Sequence, residues 1–240
     1  MSASEQQVSA WEGYWAENTG EPGGPFWDAD PQQSAVPHLA LLAPYVDRTL
    51  PIVDLGCGNG TQTRHLARHF PRAIGVDLAH AAVAHARRED RDGVAEFEQL
   101  DLADPLAVAR LGARLGGANV YQRAVLHQSD PADRAAVAAA VRPLLGRRGR
   151  GFVIEPTAAA RPVMARVAAR PGGPPERLLQ VRRHRMSPAA LAPGELPALL
   201  RGAGLDVLAE GECGLAMAER HPDGTPVTLP AHWFVVAPGE

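Results

Sequence analysis

The sequence has few of the residues that mark disulfide-rich, metal-binding or membrane-spanning proteins. Only two of its 240 residues are cysteines, Cys57 and Cys213, and they are too far apart to suggest a disulfide framework or a metal-binding pair. No window approaches ~18 uninterrupted apolar residues, so a membrane span is not expected. Lysine is absent, and the net charge of −3 gives no electrostatic reason to expect a nucleic-acid or anionic-membrane partner. These features predict a cytoplasmic location.

Apolar segments and turn signals alternate along the chain as strand, helix, strand, helix. Hydrophobic residues make up 45% of the chain, enough for the core of one α/β domain. The order predicts a parallel sheet with helices on both faces and a final hairpin whose last strand is antiparallel. The predicted strands are Pro51–Leu55, Ala73–Asp77, Ala95–Leu100, Asn119–Arg123, Gly151–Glu155, Leu205–Met217 and Thr228–Ala237.

Two segments depart from this alternation. We expect residues 1–35 to form an N-terminal helical cap and residues 157–188 to form an active-site insertion within a single domain of residues 1–240. The predicted helices are Ser34–Val46, Thr61–His69, Ala79–Arg88, Pro105–Leu115, Pro131–Leu145 and Pro193–Ala203. The 157–188 segment is rich in Arg, Pro and Gly and shows no clear periodicity, so no element is predicted within it.

The strongest local signal is a glycine-rich turn after the first strand. Residues 53–61 read Val-Asp-Leu-Gly-Cys-Gly-Asn-Gly-Thr, an apolar strand that leads through three glycines into a helix. Glycine lets a ligand approach the backbone closely, and a helix N-terminus offers free N–H groups. The same turn could serve chain reversal alone. A dinucleotide fingerprint would place Gly or Ala at position 61, where this chain has Thr61.

This pattern, led by Asp54, resembles motif I of the class I S-adenosylmethionine-dependent methyltransferases, and the resemblance extends over about Leu39–Ala237. It implies S-adenosyl-L-methionine as the cofactor, with Asp54 near its methionine amino group. It also implies a Rossmann-like α/β fold: a seven-stranded, mostly parallel sheet with helices on both faces, an antiparallel C-terminal strand and the N-terminal helical cap. The cofactor-binding residues implied in this turn are Asp54, Gly56, Cys57, Gly58, Gly60 and Thr61.

Two further acids end the next two strands. The resemblance implies that Asp77 accepts the ribose hydroxyls, and that Asp101 accepts the adenine amino group. Their neighbours Leu78 and Leu102 complete the predicted cofactor contacts. Either acid alone could be a helix cap. Acids at the ends of successive parallel strands, however, meet at the edge where such sheets bind ligands.

The fourth strand leads into residues that could act on the substrate. Residues 119–128 resemble the motif IV region of small-molecule methyltransferases, which implies that Arg123 lies beside the methionine part of the cofactor. Arg123 could instead pair with a carboxylate such as Glu155. His127 resembles the general base of plant-type O-methyltransferases, and Glu155 could orient it. Alternatively, His127 only shapes the site and Glu155 caps a strand end.

Residues outside the regular core are candidates for a lid. Of the N-terminal aromatic residues we favour Tyr14, Trp15 and Trp27, since aromatic faces attract a sulfonium cation and can wall an apolar substrate. They could instead only attach the first helix. The arginines of the insertion could recognise a carboxylate or phosphate of the substrate, or form a solvated face. These arginines are Arg161, Arg166, Arg170, Arg177, Arg182, Arg183 and Arg185.

The resemblance implies a methyltransferase acting on a small molecule, which we place in bacterial secondary metabolism. An alternative keeps the cofactor and changes the reaction to an intramolecular alkylation or cyclisation that releases methylthioadenosine. An NAD-dependent oxidoreductase and a non-catalytic nucleoside-binding module are weaker alternatives. The nine histidines form no HxH or HExxH pair, so no metal is expected. The expected partner is the small-molecule substrate, with a homodimer left open.

Overall fold

A seven-stranded sheet forms the centre of the molecule. The computed structural model describes residues 3–19, 21–184, 186 and 188–239; six positions of the predicted cap, insertion and C-terminus lie outside these ranges, among them Arg185. The strands are β1 Ile52–Leu55, β2 Ala73–Asp77, β3 Glu96–Gln99, β4 Asn119–Arg123, β5 Gly151–Pro156, β6 Leu205–Arg220 and β7 Pro226–Pro238. The first five begin and end within one residue of the predicted bounds.

The strand order is β3-β2-β1-β4-β5-β7-β6. Neighbouring strands from β3 to β5 pair in parallel, and β7 runs antiparallel to both β5 and β6. The predicted Rossmann-like fold is therefore confirmed. The chain direction across the sheet reverses between β1 and β4, and open parallel sheets bind ligands outside the carboxyl ends of the strands at such a point.

Ten helices surround the sheet in the described part of the chain. They are α1 Ala3–Glu17, α2 Ala35–Leu42, α3 Thr61–Leu66, α4 His80–Glu89, α5 Pro105–Leu115, α6 Arg134–Ala139, α7 Val141–Leu145, α8 Ala160–Ala168, α9 Glu176–Arg183 and α10 Glu195–Gly202. The helix predicted over Pro131–Leu145 is divided at Ala140. Pro143 explains the division, because its ring lacks an N–H and clashes with the carbonyl of residue 139.

The segment 157–188, for which no element was predicted, contains the helices α8 and α9. Each buries a narrow apolar face: Ala160 and Val167 in α8, and Leu178 and Val181 in α9. These spacings of seven and three residues are helical. Arginines and prolines between the apolar positions concealed the period in the sequence.

The C-terminal hairpin is longer than predicted. The strands β6 and β7 extend past the edge of β5, and their registered pairs continue to Arg220 and Pro226. The side chain of Asp223 in the turn accepts the backbone N–H of Thr225 at 2.9 Å and its hydroxyl at 2.6 Å. The part of the hairpin that lies beyond β5 includes Leu215, Met217 and Leu229, which line the cavity at the carboxyl end of the sheet.

Helix α1 packs across this carboxyl end, as the predicted cap requires. Its residue Trp15 is buried, and the backbone carbonyl of Trp15 lies 2.7 Å from Nε2 of His85 in α4. Both carboxylate oxygens of Glu12 lie 3.2 Å from the backbone N–H of Ala81, in the first turn of α4. An acidic side chain is favourable at the N-terminus of a helix, so these contacts hold α1 against α4.

A stack of rings holds α2 on one face of the sheet. Tyr121 of β4 and Phe152 of β5 are register partners, and their ring centroids are 5.9 Å apart. His38 of α2 stacks on Phe152, and its Nδ1 lies 2.7 Å from the hydroxyl of Tyr121. Burial lowers the pKa of His38 to about 3. The imidazole is therefore a neutral core group in this position.

No helix within residues 3–19, 21–184, 186 and 188–239 is long and apolar enough to cross a membrane.

Candidate functional site

A cavity of about 550 Å³ runs along the carboxyl ends of the strands. Residues after β1, β2 and β3 form one part of it, here called the glycine-loop end: Gly56, Gly58, Asp77, Leu78, Asp101 and Leu102. Helices α8 and α9 and the C-terminal hairpin form the other part, the hairpin end: Arg161, Met164, Val181, Arg182, Leu215 and Met217. Arg123 and His127, which follow β4, also line the cavity. The strand order places them between the two ends.

The glycine turn allows neighbouring groups to approach the backbone closely. Gly56 and Gly58 both have positive φ, 68° and 55°. A Cβ added at Gly56 would lie 2.8 Å from Cγ2 of Val125, and one added at Gly58 would lie 2.9 Å from Cζ2 of Trp15. Glycine is therefore required at both positions by conformation and by space.

Several residues predicted to bind the cofactor lie behind the cavity surface. The carboxylate of Asp54 is buried and accepts the hydroxyl of Thr63 at 2.6 Å. Burial raises the pKa of Asp54 to about 7, against the lowering effect of that hydrogen bond. Cys57 packs in a small apolar cluster with Phe97. Gly60 also lies against that ring, with its Cβ position 2.6 Å from Cε1 of Phe97.

Thr61 faces another buried acid. Its hydroxyl donates to Oδ2 of Asp28 at 3.0 Å, and the same oxygen accepts the side-chain amide of Asn59 at 2.6 Å. Burial raises the pKa of Asp28. Sequence reasoning missed Asp28, which ties the residues before α2 to the glycine turn. No strand or glycine pattern surrounds it, so the sequence carries no signal for this contact.

The two predicted acids at the glycine-loop end both line the cavity. Oδ2 of Asp77 accepts the backbone N–H of Gly58 at 2.9 Å, and its Oδ1 accepts that of Ala79 at 3.0 Å. Burial raises the pKa of Asp77 to about 6, and the carboxylate of Glu12 adds to the increase. Asp101 accepts the N–H of Ala103 at 2.8 Å. Both acids are thus turn caps that retain lone pairs for a further donor.

Arg123 forms its hydrogen bonds with backbone carbonyls. Its guanidinium donates to the carbonyl of Trp27 at 3.0 Å and to that of Ala216. Among the described residues it forms no ion pair, so the predicted alternative of pairing with Glu155 is wrong, and its buried Nε has no partner there. Burial lowers the pKa of Arg123, while nearby Asp28, Asp54 and Glu155 oppose that change.

His127 and Glu155 lie together, as the sequence predicts. Nδ1 of His127 lies 2.7 Å from Oε2 of Glu155, and its Nε2 lies 3.0 Å from the side-chain amide of Gln128. Glu155 is almost fully buried, and Oε1 accepts the backbone N–H groups of Val125 at 2.8 Å and Leu126 at 2.7 Å. Its Oε2 also accepts the N–H of His127 at 3.2 Å. Glu155 therefore lies behind His127 and shapes the loop that carries it.

The loop before His127 contains a strained residue. Ala124 has a φ of 60°, the one positive value at a non-glycine residue in the described chain. That conformation costs about 1 kcal/mol or more for a residue with a Cβ. The N–H of Ala124 donates to the carbonyl of Ile154 at 2.8 Å, and Glu155 holds the next two amides. These bonds keep the loop pointed into the cavity.

The N-terminal aromatic residues divide between the cavity and the core. Trp15 and Trp27 line the cavity together with Trp11 and Phe26. Tyr14 does not: its ring packs behind Trp27 with centroids 5.1 Å apart, and its hydroxyl accepts the side-chain amide of Asn18 at 3.3 Å. Burial raises the pKa of Tyr14. Tyr14 is therefore placed to support the cap rather than to contact a ligand.

Sequence reasoning also missed a link between α1 and the His127 loop. The side chain of Gln7 donates to the carbonyl of Gln128 at 2.6 Å and accepts the N–H of Asp130 at 3.0 Å. Gln7 lines the cavity as well. Its only signal in the sequence is a polar position on a helix, which does not distinguish it from its exposed neighbour Gln6.

A family model described as a methyltransferase domain matches residues 52–149, from β1 to the residues before β5. Among curated proteins, the trans-aconitate 2-methyltransferase of Acidovorax sp. (strain JS42) is 49% identical over 55 residues. The match covers 22% of this chain and 20% of that protein, so the chain matches about a fifth of the length of this curated relative.

Solved structures match over nearly the whole chain. A SAM-dependent methyltransferase from Anabaena variabilis ATCC 29413 is 29% identical, with a TM-score of 0.87 over 96% of this chain and 94% of that one. A protein studied for the conversion of a disulfide bond into a thioacetal group during echinomycin biosynthesis has a TM-score of 0.71. It is 20% identical over 97% of this chain and 92% of its own, and shows that the fold is shared.

Proposed function

Because the chain belongs to the class I S-adenosylmethionine-dependent methyltransferase family and uses that family's cofactor, we propose that it methylates a small-molecule acceptor. The observation that supports this proposal is a single cavity with two different ends. Its glycine-loop end contains the acids Asp77 and Asp101, and its hairpin end is mostly apolar. A cavity of about 550 Å³ lies in the range of small-molecule sites. His127 lines the cavity after β4, which lies between the strands of the two ends.

The residues at the glycine-loop end fit the cofactor. The turn at Gly56 and Gly58 exposes backbone at the cavity, and Asp77 and Asp101 retain acceptor capacity toward hydroxyl and amino groups. In the proposal Asp77 holds the ribose, Asp101 with Leu78 and Leu102 holds the adenine, and Asp54 acts on the methionine amino group through its charge from beneath the turn. When bound, S-adenosylmethionine supplies a methyl group activated by a sulfonium.

Arg123 is proposed to orient the methionine part of the cofactor. Its two bonds to the carbonyls of Trp27 and Ala216 fix the guanidinium, and Arg123 lines the cavity between its two ends. Cys57, Gly60 and Thr61 contribute by shaping the turn, since none of the three residues lines the cavity. Trp15 and Trp27 form the aromatic wall next to the glycine turn, with Tyr14 packed behind them.

His127 is proposed as the general base. Glu155 fixes the imidazole through Nδ1, so that Nδ1 carries the proton. An acceptor hydroxyl or amine then replaces the side-chain amide of Gln128 at Nε2, which takes its proton. The proton then leaves the acceptor as the new bond to carbon forms. Glu155 is a positioning residue, because it is buried behind His127 and does not line the cavity.

The proposal treats residues 1–240 as one domain with the cap at 1–35 and the insertion at 157–188. It places the protein in the cytoplasm, in bacterial secondary metabolism, with no nucleic-acid partner. A homodimer is the remaining partner prediction, and light scattering of the purified protein would test it.

Calorimetry with S-adenosylhomocysteine, the product form of the cofactor, tests the cofactor half of the proposal. Saturable one-to-one binding is expected for the wild type and much weaker binding for Asp101→Ala. The matched control Asp92→Ala changes an exposed acid away from the cavity and should leave the affinity unchanged. Equal affinities in all three proteins would remove the cofactor assignment.

The reaction itself is tested by product analysis. Wild type is incubated with S-adenosylmethionine and a panel of phenols, amines and carboxylic acids, and nucleoside products are separated by mass spectrometry. Acceptor-dependent formation of S-adenosylhomocysteine with a methylated product is expected. Release of methylthioadenosine instead would mean attack on the amino-acid part of the cofactor, and it would contradict methyl transfer.

A further inference from the structure

Two arginines lie at the hairpin end of the cavity, and neither has a charged partner among the described residues. Arg161 in α8 and Arg182 in α9 both line the cavity and are exposed. No ion pair or side-chain hydrogen bond joins either of them to another group in the chain as described. The insertion thus brings two guanidinium groups from two separate helices to one space.

The other described arginines of the insertion are paired elsewhere or lie outside the cavity. Arg170 pairs with Glu219 at 2.8 Å, Arg177 lies 3.6 Å from the same carboxylate, and Arg183 pairs with Glu176 at 2.6 Å. Arg166 is exposed and does not line the cavity. The structure therefore separates Arg161 and Arg182 from a general solvated face.

The remaining charges of the cavity do not neutralise this pair. Asp77 and Asp101 belong to the glycine-loop end, across β1 and β4 in the strand order. Asp133 also lines the cavity, yet it forms no ion pair with either arginine in the described chain. The third arginine of the cavity, Arg123, is occupied by backbone carbonyls. The hairpin end is consequently a cationic site in an otherwise apolar wall.

We propose that Arg161 and Arg182 bind an oxyanion of the acceptor, so that the acceptor is an anionic small molecule with an apolar body. This inference rests on the proposed function and names its substrate class. Guanidinium groups match carboxylate and phosphate oxygens with paired hydrogen bonds. The apolar body lies against Met164, Leu215 and Met217, which leaves the nucleophile of the acceptor free to face His127.

Three probes with one apolar body test the proposal. They are 4-phenylbutanoate, 3-phenylpropyl phosphate and the uncharged 4-phenylbutanamide, each titrated by calorimetry into protein saturated with S-adenosylhomocysteine. At least one anion should bind the wild type about tenfold or more tightly than the amide, since hydrogen bonds to charged groups are the stronger kind. The tighter of the two anions identifies carboxylate or phosphate as the group recognised.

The variants Arg161→Gln and Arg182→Gln should each weaken binding of that anion about three- to tenfold, and the double variant should bind anion and amide alike. The control Arg166→Gln removes a charge from the same helix as Arg161 but outside the cavity, and it should bind the anion as tightly as the wild type does. If neither anion binds the wild type more tightly than the amide, or if the preference survives in the double variant, the proposal is overturned.

The same titrations separate this inference from the proposed function. Binding of S-adenosylhomocysteine is measured first, and all four variants should retain it because the substitutions lie away from the glycine-loop end. Loss of cofactor binding in the wild type would contradict the proposed function itself. Normal cofactor binding without any preference for an anion would overturn only the assignment of the acceptor class.

Discussion

The two ends of the cavity are built in different ways. The glycine-loop end consists of backbone and carboxylates whose geometry is fixed by hydrogen bonds, such as the two amides that Asp77 accepts. The hairpin end consists of apolar side chains and two arginines, carried by α8, α9 and the hairpin, and neither arginine has an ion-pair partner among the described residues. The family model ends at residue 149, before any of the elements of the hairpin end begin. In the proposed function, the cofactor binds at the glycine-loop end, within the range of the family model, and the acceptor binds at the hairpin end, outside that range.

Among the predicted effects of substitutions, the largest is a loss of stability at Glu155, which lies behind His127 between the two ends of the cavity. The change Glu155→Ala should lower the free energy of unfolding by about 3 kcal/mol, because three backbone amides and an imidazole lose a buried acceptor. Urea denaturation measures it. The exposed Glu212 provides the control, and Glu212→Ala should change stability by less than about 0.5 kcal/mol. A loss under about 1 kcal/mol for Glu155→Ala would show that the loop does not depend on this carboxylate.

The second predicted effect is a pH dependence of the free energy of unfolding, and it arises from Asp54 beneath the glycine turn. Burial raises the pKa of Asp54 to about 7, above the value of an unfolded chain. The stabilising contribution of the protonated form is complete below pH ~4 and is lost as pH rises through about 7. The free energy of unfolding without ligand, measured as wild type minus Asp54→Asn, should fall by about 2 kcal/mol between pH 5 and 7.

A matched variant makes this pH test specific. Asp223 lies in the exposed turn of the hairpin, and its hydrogen bonds to Thr225 lower its pKa. The difference between wild type and Asp223→Asn should therefore show no fall over the same pH range. A flat difference curve for Asp54→Asn would mean that Asp54 keeps an ordinary pKa in the folded protein.

A third effect concerns binding at the glycine-loop end. Asp77→Asn should weaken binding of S-adenosylhomocysteine about tenfold, since one carboxylate oxygen becomes an amide that cannot accept a hydrogen bond. Calorimetry measures it at pH 8, where Asp77, with its pKa raised to about 6, is ionised. The exposed Asp92→Asn should bind as the wild type does. Unchanged affinity in Asp77→Asn would show that this residue does not bind the ribose.

The smallest effect is expected at the link between α1 and the His127 loop. Gln7→Ala removes two hydrogen bonds, to the carbonyl of Gln128 and the amide of Asp130. Hydrogen exchange of residues 126–130 should become about fivefold faster, which corresponds to about 1 kcal/mol of local stability. Gln6→Ala, at the exposed neighbouring position, should leave exchange unchanged. Equal exchange in both variants would show that the cap does not hold this loop.

The same division explains what the sequence could reveal. Strands such as Ala73–Asp77 and acids such as Asp77 and Asp101 follow from local patterns, because a parallel strand end and its polar residue are adjacent in sequence. The partners of Arg123 and Thr61 could not be predicted, since the carbonyl of Ala216 and the carboxylate of Asp28 are distant in the chain. Helices α8 and α9 were missed because only a few apolar residues in each face the core.

The local sequence pattern predicts some of these residue contacts and not others. The sequence predicts the pairing of His127 with Glu155. It does not predict the three backbone N–H groups that Glu155 also accepts, because these depend on the strained turn at Ala124, and alanine gives no sign of a positive φ. Tyr14 and Trp15 are adjacent aromatic residues on α1, yet only Trp15 faces the cavity. Which of two neighbours faces a ligand depends on helix orientation, and that is set by contacts such as His85 with the carbonyl of Trp15.

A crystal structure of the protein grown with S-adenosylhomocysteine tests the central claim most directly. We expect the nucleoside at the glycine-loop end, with its ribose at Asp77 and its adenine at Asp101, and the sulfur pointing toward His127 with the hairpin end left open. A nucleoside seated elsewhere, or one that fills the hairpin end, would contradict the division of the cavity between cofactor and acceptor.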